Sequence, residues 1–205
     1  MNLLLVDDHT IVRDGLKRLL ATLPIGEIHE AANGREAVGI AKSKPLDLIV
    51  LDLNLPELGG LELLGRLVQI DAAPVLVLSM HAEPLYVARA MDAGAQGYVS
   101  KNASPDELLT AVRKVAGGGR YVEGELAQAL AQQGGADTAQ SLDRLSTRDL
   151  EILRLLAAGK SLSEIAEALG LGYKTIANTL SLIKSKLGVA RTSDLVRLTL
   201  EAGIN

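Results

Sequence analysis

Five strand-like segments, each followed by a stretch with helical spacing, recur through the first 118 or so residues of this 205-residue chain. That alternation leaves few folds open. Leu3 to Val6 is a continuous apolar run, as in a strand buried on both faces. Glu27 to Ala31, Leu48 to Leu51, Val75 to Leu78 and the short Gly97 to Val99 supply four more. Between the first two, Val12, Leu16, Leu19 and Leu23 recur at spacings of four, three and four, one face of a helix. Asn33-Gly-Arg-Glu36 opens a second helix with a cap residue and a carboxylate three positions on. Gly59 and Gly60 precede a third, Leu61 to Ile70, and Glu83 to Ala93 reads as a fourth. Ser104-Pro-Asp-Glu107 combines an N-cap, proline at the first helical position and a capping-box glutamate, and its helix runs to Gly117. Five βα units predict an α/β domain with a doubly wound parallel sheet covered by helices.

The remainder differs in kind. Glu123 to Gln133 is a possible further helix, and Gln133 to Ser141 is small and polar, as in a linker. Beyond it the pattern is all helical. Ser146-Thr-Arg-Asp149 and Ser161-Leu-Ser-Glu164 both have capping-box form. Gly170-Leu-Gly172 turns the chain into a longer helix, Tyr173 to Leu187, with Ile176, Leu180, Ile183 and Leu187 on one stripe. Gly188 ends it, and Thr192 or Ser193 caps a last helix, Asp194 to Ala202. Two helices joined by a short glycine-containing turn predict a small all-α helix-turn-helix domain. The expected division is 1–120, a linker with a possible helix over 121–142, and 143–205.

Composition narrows the chemistry. Apolar residues make up 48%, enough for a packed core, yet aromatics are 2%, so aromatic platforms for single-stranded nucleic acid are nearly excluded. The absence of cysteine removes disulfides, thiolate metal sites and a cysteine nucleophile. No signal peptide or membrane span is read, so a cytoplasmic protein without a membrane partner is expected. Residues 1–142 carry 12 Lys+Arg against 18 Asp+Glu, a net of −6, and residues 143–205 carry 9 against 7, a net of +2. The asymmetry fits two modules with different partners, although +2 alone is ordinary surface chemistry.

In a doubly wound sheet, functional groups gather outside the carboxyl ends of the strands. Asp7 and Asp8 end the first strand, Asp52 the third and Ser79 the fourth; Lys101 follows the fifth. In the flavodoxin-like strand order 2-1-3-4-5, strands one and three are neighbours. Three carboxylates then crowd beside one hydroxyl and one ammonium. Each carboxylate pair at ~4 Å costs ~4 kcal/mol near a protein surface, so a cation must compensate. A hard divalent ion such as Mg2+, which shares itself with phosphate oxygens, fits oxygen ligands of this kind. A carboxylate so placed can attack a phosphoryl group and become an acyl phosphate. Each residue alone has a plainer reading: a helix-capping Asp, a turn Ser, a solvated Lys. The case rests on all five standing at one edge. His9, His29 and His81 have no metal-ligand spacing and are assigned nothing.

Val6-Asp-Asp-His9, Leu51-Asp-Leu-Asn-Leu-Pro56 with Gly59-Gly60, Ser79 and Tyr98-Val-Ser-Lys101 resemble the receiver domain of two-component response regulators. Leu145-Ser-Thr-Arg-Asp-Leu-Glu-Ile-Leu153, Ile165-Ala-Glu-Ala-Leu169 and Lys186-Leu-Gly-Val189 resemble the LuxR-type DNA-binding domain. Together the chain resembles the NarL/FixJ class over nearly its full length. The resemblance implies a flavodoxin-like (βα)5 receiver and a regulator of transcription, not an enzyme in the usual sense. It implies that Asp52 accepts a phosphoryl group from a sensor histidine kinase. It further implies that Asp8 binds Mg2+ directly, Asp7 mainly through water, and Asn54 through its backbone carbonyl, with Asp52 also among the metal ligands. Lys101 would hold the phosphoryl oxygens, Ser79 would swing toward them and Tyr98 would change rotamer. The bulk of Met80 beside the acceptor would hinder hydrolytic water.

The DNA half departs from that pattern. Members of the class commonly carry a basic residue and a histidine where this chain has Ala177 and Thr179. The candidate contacts to double-stranded DNA are Lys174, Thr175, Asn178, Ser181, Lys184 and Lys186; Ser185 shares the face. Lysines suit phosphates, and Asn178 suits an adenine edge. Homodimers on paired half-sites would offset the thin charge, with Leu195, Leu198 and Leu200 as a candidate dimer surface or as internal packing. Two alternatives stay open: a helix-turn-helix used mainly for protein contacts, and a phosphatase of the aspartate type, whose motif Asp52-Leu-Asn54 faintly resembles.

Overall fold

The computed structural model describes residues 1–55, 59–132 and 145–201. Pro56, the 133–141 segment and Ala202 lie outside them. The chain divides into two compact units.

The first unit holds six strands: β1 (Asn2–Val6), β2 (Glu27–Ala31), β3 (Leu48–Leu51), β4 (Val75–Ser79), β5 (Gly97–Ser100) and β6 (Tyr121–Val122). Helices α1 (Thr10–Leu20), α2 (Gly34–Ser43), α3 (Gly60–Gln69), α4 (Pro84–Asp92) and α5 (Pro105–Ala116) connect them, and α6 (Gly124–Gln132) follows. Every pairing is parallel, in the order β2-β1-β3-β4-β5-β6. The doubly wound, flavodoxin-like sheet expected from the alternation forms, with one strand more than the sequence announces. β6 is only two residues long, too short to carry a periodicity.

Both faces of the sheet are covered. Leu3, Leu5, Leu48, Val50, Leu76 and Leu78 cluster with Leu20 of α1 and with Leu108, Val112 and Val115 of α5. The alternate residues Leu4, Ile49, Leu51, Val75 and Val77 are buried as well, on the opposite face. Hence the central strands read as unbroken apolar runs, whereas the edge strand β2 keeps exposed glutamates.

Helix ends follow their caps. Asn33 Oδ1 accepts from Glu36 N at 3.0 Å, and the Glu36 carboxylate accepts from Ala32 N at 2.8 Å. Ser104 Oγ accepts from Glu107 N at 3.2 Å, but the Glu107 carboxylate accepts from the Tyr121 hydroxyl at 3.0 Å instead of closing the box. The α1 stripe outruns its helix: Leu23 is buried yet lies past Leu20, because the following Pro24 disfavours helical backbone there. At the head of α3, a Cβ on Gly60 would stand 2.3 Å from Leu53 Cα. Only glycine lets that helix start so close to the loop after β3.

The second unit contains α7 (Thr147–Ala157), α8 (Leu162–Ala168), α9 (Tyr173–Leu187) and α10 (Thr192–Glu201). Both capping boxes close, Ser146 with Asp149 and Ser161 with Glu164. Gly188 takes the left-handed conformation, φ 67°, that ends α9. α10 begins two residues earlier than the sequence suggests, with Thr192 and Ser193 inside its first turn and the Arg191 carbonyl accepting from Asp194 N and Leu195 N. The interior is aliphatic: Leu150, Ile152, Leu153, Ile165, Ile176, Leu180, Ile183 and Leu195 are buried. Of the candidate dimer leucines, Leu195 is thus core, Leu198 half-buried and Leu200 exposed. Among the described residues no helix is long and apolar enough to cross a membrane.

Candidate functional site

Strand register sets the site. Val6 is level with Leu51 across the β1–β3 pair, so Asp7 and Asp52 leave the sheet side by side. Ser79 is level with Ser100, and Lys101 leaves β5 one residue later with its N–H donated to Ser79 O at 2.8 Å. The strand-end groups singled out from sequence therefore share one edge.

Three of them make direct contact. Lys101 Nζ donates to Asp7 Oδ2 at 2.6 Å and to Asp52 Oδ2 at 2.7 Å. Both carboxylates are almost completely buried, each residue 2% exposed. Asp52 Oδ1 accepts from Asn54 N at 3.1 Å, and Asp7 Oδ1 from His9 N at 2.7 Å. Burial pushes the Asp52 carboxyl above its ordinary value, and Lys101 opposes this only in part. Burial disfavours the Lys101 charge, but the two carboxylates outweigh it and hold the ammonium above its ordinary value.

Asp8 stands beside the pair, half-buried. Its Oδ1 is shielded from solvent and lies 2.8 Å from His9 Nδ1. Oxygens of Asp7, Asp8 and Asp52 and a ring nitrogen of His9 fall within 4.8 Å of one another. Three carboxylates whose oxygens converge this closely fit a hard divalent cation; imidazole suits such an ion less well. His9 was not assigned from sequence, since its place beside the carboxylates depends on the turn after β1.

Ser79 and Tyr98 meet at a residue that sequence reasoning passed over. Ser79 Oγ accepts from His81 N at 3.2 Å, and the buried Tyr98 hydroxyl donates to His81 O at 2.7 Å. His81 Nε2 sits 3.0 Å from Asn54 Oδ1, and its ring stacks on Tyr86 with centroids 4.1 Å apart and planes 4° from parallel. No ligand spacing marks His81, because its partners come from three separate segments. Met80 is half exposed beside Ser79.

On α9, Lys174, Thr175, Asn178 and Ser181 are exposed and Lys184 is half-buried. Two hydroxyls turn back onto the helix, Thr179 Oγ1 to Thr175 O at 2.9 Å and Ser181 Oγ to Ala177 O at 3.1 Å. Lys186, though exposed, donates to Asp149 Oδ2 at 2.6 Å and so ties α9 to the capping box of α7. Lys174 and Lys184 are the cations on α9 outside that ion pair. Tyr173 and Leu182 are exposed large apolar residues of the same helix.

Comparison with known proteins covers both units. Residues 3–113 match the response regulator receiver domain, and residues 143–199 match the bacterial regulatory proteins of the luxR family. Response regulator UvrY of Escherichia coli (strain K12) is 35% identical over 208 residues, spanning 100% of this chain and 95% of that protein. Transcriptional activator protein ExaE of Pseudomonas putida is 40% identical over 211 residues, spanning 100% and 98%. The RcsB response regulator of Salmonella typhimurium, solved in a study of its DNA interaction, superposes with a TM-score of 0.62 at 25% identity, covering 96% of each chain. A structure of two RcsB dimers bound to two parallel DNAs gives 0.60 at 25% identity, covering 98% of each. With a receiver at one end and a LuxR-type helix-turn-helix at the other, the chain belongs to the NarL/FixJ-type two-component response regulators.

Proposed function

We propose that this response regulator is switched by phosphorylation of Asp52 and acts on duplex DNA. The observation that carries the reading is Lys101, whose ammonium bridges buried carboxylates from two adjacent strands. Asp52 is the acceptor: one carboxylate oxygen attacks the phosphorus of a phosphohistidine on a sensor kinase. The new O–P bond forms as the P–N bond breaks, and the electron pair leaves with the imidazole, which takes up a proton. Asp8 directly, Asp7 mainly through water, and the Asn54 carbonyl would hold Mg2+. When bound, that ion offsets charge on the phosphoryl oxygens. Lys101 turns from the Asp52 carboxylate to those oxygens and keeps its charge. The modification adds a charge of roughly −1.5 to −2 and three acceptor oxygens. Ser79 moves toward them and gives up its bond from His81 N, and Tyr98 changes rotamer. These shifts bias the arrangement of the receiver surface and favour a homodimer on DNA.

The test is incubation with Mg2+ and a small acyl-phosphate donor, read by intact mass. The chain gains one phosphoryl group and Asp52→Ala gains none; a stable gain in the variant refutes the assignment.

A second reading has its own support. With Lys186 held by Asp149, few cations remain on α9, as suits a helix-turn-helix used for protein contacts. A gel shift on genomic fragments separates the two. Affinity that falls steeply with salt supports DNA binding, because counterion release dominates such complexes.

A further inference from the structure

We infer that His81 is a positioning residue that couples the acceptor pocket to α4 through its imidazole, a link beside the movement of Ser79 and Tyr98. The inference rests on the proposed role of the pocket.

Four contacts converge on this one residue, and each reaches a different segment. The backbone N–H holds Ser79 Oγ at the end of β4, and the carbonyl receives the Tyr98 hydroxyl from β5. The side chain does something separate. Asn54 Oδ1 accepts only, so the 3.0 Å contact makes His81 Nε2 the donor. Asn54 is also the residue whose N–H is bonded to the acceptor carboxylate. On the other side, the imidazole lies flat against Tyr86 in the first turns of α4. The ring is 2% exposed and Tyr86 fully buried, so neither plane moves without the other. A displacement of the Asn54 loop, as a metal ion or a phosphoryl group arrives, therefore passes to α4 by hydrogen bond and then by stacking.

Two substitutions break the link at different points. His81→Phe keeps a ring against Tyr86 and loses the donor to Asn54. His81→Gln keeps a donor and loses the stack. The chain has four tyrosines and no Phe or Trp, so tyrosine-labelled full-length protein gives a short list of ring signals to follow by NMR. In the wild-type chain the Tyr86 signal shifts when Mg2+ is titrated in, and again on acyl-phosphate treatment. In both variants phosphoryl uptake continues, read by intact mass, and the Tyr86 response is lost. A variant that takes up the phosphoryl group and still moves Tyr86 as the wild type does overturns the inference. Should the wild-type chain take up no phosphoryl group, the acceptor reading fails on its own. The Mg2+ titration then decides this inference, and an unmoved Tyr86 signal refutes it.

Discussion

Replacing Lys101 with methionine keeps an unbranched apolar stem of nearly the same length and deletes the ammonium, with its charge and its two hydrogen bonds. The ammonium lies within 2.7 Å of two carboxylates that are themselves 2% exposed. At an effective dielectric near 20, each such contact is worth about 6 kcal/mol of gross Coulomb energy, most of it offset by desolvation. Breaking a buried ion pair by removing one partner costs roughly 3–5 kcal/mol, because the other charge is stranded. Lys101 retains some solvent contact, and Asp52, raised by burial, can shed its charge by taking a proton. Both features place the expected loss near the lower bound, about 3 kcal/mol at pH 7. The sign of the pH dependence follows. An acid with a raised folded pKa carries its ionisation penalty in full above that pKa and not at all below the unfolded value, near 3.8. The deficit of Lys101→Met therefore shrinks as pH falls through the raised Asp52 pKa. At alkaline pH the gap closes for another reason: the wild-type ammonium is stabilising below the ordinary 10.5 and loses that contribution as pH passes its raised folded value. Urea unfolding followed by circular dichroism at several pH values measures this. Mg2+ at about 100 times its Kd should return roughly 2.7 kcal/mol to the variant. A variant as stable as the wild type at pH 7 without Mg2+, or a deficit that does not vary with pH, refutes the reasoning.

With Asp52 as the proposed acceptor, Met80→Ala should speed loss of the phosphoryl group by opening a path for water past the half-exposed side chain that follows Ser79; an unchanged dephosphorylation rate removes Met80 from the account. Gly60→Ala should cost about 2–3 kcal/mol or prevent folding, because its Cβ meets Leu53 backbone that cannot yield; a thermal melt within a degree of the wild type contradicts it. Lys186→Ala should destabilise the second unit by roughly 1–3 kcal/mol through the stranded Asp149. Lys174→Ala should leave the melt alone and lower the salt slope of DNA binding by about 1. The reverse pattern would place Lys186 on the phosphates.

Much of this architecture was legible in the residues because burial on both faces writes itself as uninterrupted Leu, Ile and Val. The central strands, the caps at Asn33, Ser104, Ser146 and Ser161, and the span of α9 follow from local chemistry. The site was legible for a related reason: once strands are placed, their carboxyl ends are known, and Asp7, Asp52, Ser79 and Lys101 fall there by position. What escaped notice depends on contacts between distant segments. β6 exists because β5 offers it an edge. Lys186 reads as a surface cation until Asp149 is folded against it. His81 looks like an ordinary loop histidine, and its importance lies in the segments brought to it, a loop from 27 residues before and a strand from 17 after.

The short sixth strand has a practical consequence for dissecting the protein. Glu123 N donates to Tyr98 O at 3.1 Å, and the Glu123 carboxylate accepts from Ser100 N at 2.7 Å, one residue from Lys101. The polypeptide thus departs from the sheet stitched to the strand that presents the ammonium. A fragment trimmed at residue 120 would forfeit those stitches and leave the flank of β5 bare, whereas one carried through α6 would preserve the setting of Lys101. Fragments of the two lengths would differ in how the pocket is held, although every group that lines it is present in both.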